Sequence, residues 1–501
     1  MKSSTVNIAN LLSRKSHTNQ PSEFSEGRTS PHWRKRCIFF GAAVLCVAAV
    51  PVLAAIDSET KFVLDSLSFL IWGALVLWMC AGFTMLESGS VRTKNASVIC
   101  LKNIGLFSIA CITYYLLGYD LMYKDVNWVI GVPDFLAFGE TPSPAETAML
   151  NLAEGADAGA ATGEVVKQGF SGMSNWFFQM VFVATTASIV SGALAERVRL
   201  WSFFVFIFFL TCIIYPMVGA MTWGGGFLSE KLGFYDFAGS TIVHSTGGWA
   251  ALMGVLIVGP RLGKFKSDGS IHPTPPSNVP IVTLGVLILW LGWLGFNGGS
   301  VLALGSAESA VIMSNVIANT CLSAAAGVIA ALVLSGLVFH RMNLLVVLNG
   351  AIAGLVSITA APDFHEHTYL ALIIGFIGGA LCTYSIRVFE IWKIDDVVAA
   401  IPAHLVAGVW GTLAVCITKP DDSTFFGQLG GIVIVGVFVC ATSFIVWFAV
   451  DKLLGLRISA RTEELGQDTA ELGIEAYPEF VLMPDAEMYI REPEDSEEAT
   501  S

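Results

Sequence analysis

Long apolar runs of about twenty residues, separated by short polar connections, fill most of the chain from residue 57 to 456. An apolar stretch of that length crosses a hydrocarbon core of ~30 Å as a helix. The pattern predicts eleven spans, at 62–86, 97–118, 175–195, 200–222, 236–259, 278–299, 308–339, 343–361, 368–389, 396–417 and 427–452. Forty-nine glycines suit such a bundle, because small residues let helices approach closely in lipid. The expected fold class is therefore an all-α, multi-pass membrane protein.

The polar connections supply a direction. Arg92, Lys94, Arg197, Arg199, Arg261, Lys264, Lys266, Arg341, Arg387 and Lys393 all fall in connections on one side. The other side's short connections hold only Lys231 and Lys419, and its long 119–174 segment only Lys124 and Lys167. Basic residues mark the inner face, so span 1 starts outside and the segment after span 11 lies inside. Three regions result: a basic N-region at 1–56, an eleven-helix domain at 57–456, and a tail at 457–501. Arg34, Lys35 and Arg36 precede the apolar run 37–56, and Val52-Leu53-Ala54 suits signal-peptide cleavage. A retained extra helix would point the same way.

Spans 5 and 10 resemble each other. Span 5 opens Asp236-Phe-Ala-Gly-Ser-Thr-Ile-Val-His244 and span 10 opens Asp396-Val-Val-Ala-Ala-Ile-Pro-Ala-His404, with Gly248 and Gly408 four residues after each histidine. Five crossings separate them, so they run in opposite directions, as in an inverted repeat of spans 1–5 and 6–10 with span 11 added. If each aspartate begins its helix, eight residues carry each histidine ~12 Å inward. Across a ~30 Å core the two imidazoles then differ in depth by about 6 Å and can meet near the midplane. Ionisable groups inside a membrane usually mark a pathway.

At the outer end of span 6, Trp293, Phe296 and Ser300 share one helix face. Trp223 closes span 4 at the same level, and Phe178 and Phe182 begin span 3 there. Phe178 and Trp290 fit an ordinary headgroup belt of aromatics. The set 223, 293, 296 and 300, beside Gly-rich packing, is expected to face inward. Ring faces attract a small cation by about 0.5–2 kcal/mol each, and Ser300 can accept a hydrogen bond from it. Asp236 near this mouth could add negative potential, although Asp is also a favoured helix cap.

Composition narrows the classes. The chain is 54% hydrophobic and only 13% charged, against about 25% charged in ordinary soluble proteins. Disorder, a coiled coil, a nucleic-acid-binding protein and a disulfide scaffold are excluded as the main description. The net charge of −13 is mostly local, since residues 457–501 hold thirteen acidic residues against three arginines. The ten cysteines sit in or beside apolar runs without a CxxC and read as small packing residues. No metal-ligand cluster, Ser/His/Asp arrangement or phosphate loop stands out, so neither an enzyme nor a cofactor is expected.

These residues together resemble the ammonium transporter (Amt/MEP/Rh) family, and specifically its Amt branch, over about residues 60–480. The likeness is carried by Leu86-Glu-Ser-Gly-Ser-Val-Arg-Thr-Lys-Asn95, Ser191-Gly-Ala-Leu-Ala-Glu-Arg197, the Asp236–His244 stretch and Trp293-Leu-Gly-Phe-Asn-Gly-Gly-Ser300. Trp223 argues against the Rh branch. The resemblance implies a homotrimer in the cell (inner or plasma) membrane, with one pore per subunit. It implies an outer recruitment site at Phe182, Trp223 and Ser300, with Asp236 as the motif's acid. It further implies a gate of Phe182 on Phe296 with Trp293 on the lining, and a twin-histidine pair at His244 and His404. Ammonium would be recruited, deprotonated and conducted as ammonia, with methylammonium as an analogue substrate and net ammonium uptake. The alternative is a sensor of the same fold with little flux.

Three departures from the family pattern stand out: Ala399 where Asp is common, Leu405 where Gly is usual, and Leu472 where His is usual. The first two put the inner pore lining in question, and the third the regulation. The tail is expected to dock partly on inner loops bearing Lys264 and Lys266. A PII-type signalling protein at the inner mouth is the partner that the resemblance implies.

Overall fold

A backbone that cannot reach water must satisfy its hydrogen bonds within its own segment, and each predicted apolar stretch accordingly lies on a helix. The computed structural model describes residues 56–133, 143–153 and 157–478. The expected signal peptide and the last part of the tail lie outside these residues. In chain order the long helices are α1 (Ser58–Ser90), α2 (Thr93–Tyr123), α3 (Gly172–Ala193), α4 (Leu200–Leu232), α5 (Ser240–Val258), α6 (Val279–Gly299), α7 (Ala307–Phe339), α8 (Leu344–Ile358), α9 (Tyr369–Ile391), α10 (Ile401–Thr418) and α11 (Phe425–Leu454). Ten of these described helices are long and apolar enough to cross a membrane. The eighth, α8, has 15 residues and a length of only ~22 Å at 1.5 Å per residue.

Two helices differ from expectation in a way that matters for the site. The aspartates do not begin α5 and α10. The chain stays irregular through residues 236–239 and 396–399, and the wide first turns start at Ser240 and Ile401, both fully buried. Each histidine therefore sits in the first turns, not eight residues along. It is deep because the helix itself begins inside the bundle. Both first turns are wide π-turns, at Ser240–Ser245 and Ile401–Val406, a form that recurs at functional sites.

The buried helix starts explain the aspartates. Asp236 accepts the N–H groups of Gly239, Ser240, Thr241 and Ile242 at 2.8–3.0 Å, so it satisfies donors that every helix N-terminus leaves free. Asp396 accepts the Ile401 N–H at 2.6 Å. Three residues after each aspartate the chain takes a positive φ, 109° at Gly239 and 59° at Ala399. Ala399 thus holds a left-handed conformation that costs an L-residue about 1 kcal/mol.

The connections after α1, α3, α5 and α9 gather at one end of the bundle around buried charges. The Glu196 carboxylate accepts the backbone N–H and the Nε–H of Arg92, each at 2.7 Å, and stands 3.4 Å from the Arg261 guanidinium. Arg261 in turn makes a fork of two 2.8 Å bonds to Asp395. Arg197, fully buried, donates to the carbonyls of Ala193 at 2.7 Å, Ala195 at 3.0 Å and Gly259 at 3.2 Å, and also to that of Asp395. Burial would raise the Asp395 pKa, but its bonds to Arg261 outweigh that and hold it below the usual carboxylate value. Glu196 is lowered in the same way by Arg261 and Arg92, again against burial. A depressed folded pKa stabilises above the ordinary carboxylate value of about 4, and that stability is lost as pH falls from there toward the folded value. Asp395→Asn leaves a buried guanidinium without its charge partner, for which about 3 kcal/mol of destabilisation is expected. Melting of the detergent-solubilised protein against pH checks this: the variant should melt lower and lose less on acidification than the parent.

The described tail, to residue 478, docks at this same end, partly on the loop that bears Lys264 and Lys266, through the Leu262 N–H and not through the two lysines, and partly at the start of α2. Asp468 accepts the N–H groups of Ser97 and Val98 at 2.9 and 2.8 Å, near the start of α2. Gln467 donates its N–H to Asn95 at 2.9 Å and its side-chain amide to the Val198 carbonyl at 3.0 Å. Glu463 accepts the Leu262 N–H at 2.6 Å, and Lys94 donates to the Glu463 carbonyl at 3.0 Å. The physical reason is the free N–H donors and positive dipole end of α2, which suit a carboxylate. The Lys264 ammonium meanwhile is turned to Thr274 at 3.2 Å.

Candidate functional site

A column of side chains from α3, α5, α6 and α10 runs through the bundle. Phe182 on α3 and Phe296 on α6 stack with centroids 3.9 Å apart and planes 23° apart. Below them His244 lies 5.3 Å from Phe296 and stacks on Trp293 at 4.7 Å. Trp293 is fixed by its indole N–H, which donates to the Thr359 hydroxyl at 2.8 Å. His404 follows, its Nδ1 3.2 Å from the Nδ1 of His244. Phe182, Trp293, Phe296, His244 and His404 are all buried.

The nitrogen pairing constrains the protons. Two Nδ1 atoms at hydrogen-bond distance need one proton between them, so with both rings neutral they hold opposite tautomers. The Nε2 of His244 has no partner and is left to receive or offer a proton. The structure thus brings the two histidines together as expected, through helices that start at Ser240 and Ile401 and not at the aspartates.

On the gate's other side a cavity of about 270 Å³ is lined by Phe178, Gln179, Phe182, Trp223, Asn175 and Ser300 among others. Trp223 stands edge-on to Phe182 at 6.2 Å, and its indole N–H donates to the Asp236 carbonyl at 2.7 Å. The Ser300 hydroxyl donates to the Phe296 carbonyl at 2.8 Å, which aims its lone pairs elsewhere and leaves them able to accept. One expectation changes here, and for Asp236 the structure shows the capping role. Phe178 is no headgroup aromatic: it is 1% exposed and packs on Phe182 at 4.8 Å. Asp236 is not among the cavity's lining residues, and its carboxylate is fully engaged by the four N–H groups of its own turn.

The Leu405 departure is accommodated within the repeat. A Cβ on Gly248 would stand 2.6 Å from the Leu405 Cβ, so Leu405 fills the notch of the opposed helix. In the mirrored position Gly408 lies against Ser245 and Ser240. Ala399 lines a second cavity, about 250 Å³, at the charged end with Lys264, Arg261, Asn349 and Asp396.

Sequence reasoning passed over one group. Glu87 and Lys102, 0% and 3% exposed, lie inside the bundle with Asn103 and Ser191. The signal was available, because Lys102 falls inside a predicted span and charge there is costly.

The profile of the Ammonium Transporter Family matches residues 67–477. The ammonium transporter Amt2 of Haloferax mediterranei is 37% identical over 469 residues, covering 88% of this chain and 96% of its own length. Amt2 of Archaeoglobus fulgidus is 34% identical over 476 residues, covering 88% and 95%. Among solved structures, one described as a sensor Amt protein superposes with a TM-score of 0.73 at 31% identity, covering 83% of this chain and all of its own. Mep2 of Candida albicans gives 0.69 at 25% identity, covering 88% and 96%. With the match running from α1 into the docked tail and its relatives aligned over almost their full length, the chain belongs to the ammonium transporter family.

Proposed function

We propose that this protein moves ammonium across the cell membrane, recruiting the cation at the Trp223 cavity and passing its nitrogen as ammonia along the His244–His404 pair. The carrying observation is the pair of buried imidazoles, nitrogen to nitrogen at 3.2 Å, placed directly beyond a stacked phenyl gate. Positive-inside asymmetry makes the Trp223 mouth the outer one and the Arg261 end the inner one, with eleven crossings in a 5+5 inverted repeat plus α11.

The physics follows from the column. A bare ammonium ion in hydrocarbon costs on the order of tens of kcal/mol, whereas neutral ammonia is far cheaper. The phenyl stack strips the cation's water, burial disfavours its charged form, and it gives up a proton near the gate. Potassium, of similar size, has no proton to shed and no hydrogen to donate, so the path rejects it by chemistry. Trp223 and Phe182 supply ring faces and Ser300 an acceptor for the hydrated-to-bare transition at the mouth. The homotrimer and a PII-type partner at the inner mouth belong to the same reading.

Solid-supported membrane electrophysiology on purified protein in proteoliposomes tests it. Ammonium and methylammonium are expected to evoke current and potassium none. A protein that binds ammonium without carrying current or ammonia would instead be a sensor, the reading favoured by the likeness to the sensor Amt structure and by a tail that docks against α2.

A further inference from the structure

Glu87 lies in the last turn of α1 with no exposed surface. One carboxylate oxygen, Oε2, accepts the Ser191 hydroxyl at 2.6 Å and the Asn103 amide at 3.2 Å. Lys102, itself buried, donates its ammonium to the Ser191 carbonyl at 2.7 Å. Ser191 therefore joins the two charges, and each partly offsets the cost of burying the other. The second oxygen, Oε1, is buried and has no partner. Buried carboxylate oxygens are nearly always bonded, so an orphan calls for an explanation.

The orphan lies beside the pathway. Glu87 and His404 line one small cavity, with Phe83, Ser188 and Val398. Its volume is about 10 Å³, about the room of a single water. Leu86, Asn349, Ile352 and Val398 line both this cavity and the larger one that holds Lys264, so it sits between His404 and the charged end. Glu87 is the one carboxylate among its described lining residues.

We propose that Glu87 is the proton acceptor beyond the histidine pair, taking the proton that the imidazoles hand on and releasing it toward the Lys264 cavity. This rests on the transport reading above. At the gate an N–H bond of ammonium breaks and its proton forms an N–H bond on His244 Nε2. The Nδ1 proton of His244 crosses to His404 Nδ1, and the Nε2 proton of His404 leaves to a cavity water. That water in turn gives a proton to Glu87 Oε1, so the carboxylate becomes a carboxylic acid. Release to water in the Lys264 cavity restores the carboxylate, which the Lys102 charge favours. The histidines end in exchanged tautomers and reset before the next cycle. No electron is transferred, and ammonia travels separately as the neutral product.

The test compares two signals in the same proteoliposomes: ammonium-evoked current, and internal alkalinisation by ammonia in stopped flow. Glu87→Gln keeps the side chain's size and its acceptor for Ser191. Current is expected to fall about tenfold or more, while ammonia permeation falls far less, by about threefold at most. Should the unpaired Lys102 prevent folding, Glu87→Gln combined with Lys102→Met removes both charges and is read in the same way. Current equal to the parent's, or current and permeation lost together in folded protein, overturns the assignment. A parent that shows neither signal defeats the transport reading itself and this inference with it, whereas a parent and variant equal in both defeat Glu87 alone.

Discussion

Replacing His244 and His404 together by leucine is expected to abolish ammonium-evoked current, a loss of about a hundredfold or more, in a protein that still folds. The two rings satisfy each other across one 3.2 Å contact, so removing both leaves no unpaired nitrogen behind. A single replacement strands the other ring's Nδ1 in a buried site, at a cost of about 1–3 kcal/mol, which makes the double variant the cleaner experiment. Leucine fills much of the imidazole volume but offers neither donor nor acceptor. Ammonia could still cross a greasy conduit, yet its proton would have no carrier, and the bare cation would meet the full desolvation barrier. The measurement is current on solid-supported membranes with ammonium, methylammonium and potassium. Undiminished ammonium current with potassium still excluded would defeat the twin-histidine mechanism.

Asp236→Asn is expected to lower the yield and melting temperature of folded protein sharply, not to weaken recruitment in a folded one. Both carboxylate oxygens are used, each accepting two N–H groups at the start of the π-turn that carries His244. Asparagine keeps one oxygen and turns an NH₂ group toward two N–H donors, so two bonds become donor–donor contacts. Hydrogen bonds to a charged acceptor are worth about 1.5–3 kcal/mol each, which puts the expected loss at several kcal/mol. If Asp236 served mainly to attract the cation, the variant would fold normally and shift only its half-saturating ammonium concentration. Size-exclusion profile and thermal melting, read beside the concentration dependence of current, separate the two roles.

Much of the site was legible in the chain because it rests on short-range regularities. Trp293, Phe296 and Ser300 share a helix face by spacing alone, and the Asp–His pattern of residues 236–244 and 396–404 repeats without any knowledge of packing. The failures share a cause. A helix counted from the aspartate onward misplaces the histidine, because the chain reserves those residues for an irregular entry that lets the aspartate bond the helix start. The position of Phe178 near a span end points to the headgroups, but its neighbours Phe69 and Phe182 bury it. The tail's expected seat on the loop bearing Lys264 and Lys266 is met in part, through the Leu262 N–H, whereas its second seat, the free N–H groups of α2 that hold Asp468, is invisible to a count of charges.

Apolar run lengths, basic loop asymmetry and the histidine repeat determine from sequence alone that this is a helical membrane protein with a paired-imidazole motif. These are properties of consecutive residues, and the bilayer imposes them locally. Only the tertiary structure decides that the imidazoles meet through Nδ1, that Asp236 faces its own backbone, and that Glu87 shares a cavity with His404. The two meetings with His404 join side chains far apart in sequence, and the Asp236 turn, though local, forms because its helix starts inside the bundle; no periodicity along the chain encodes either.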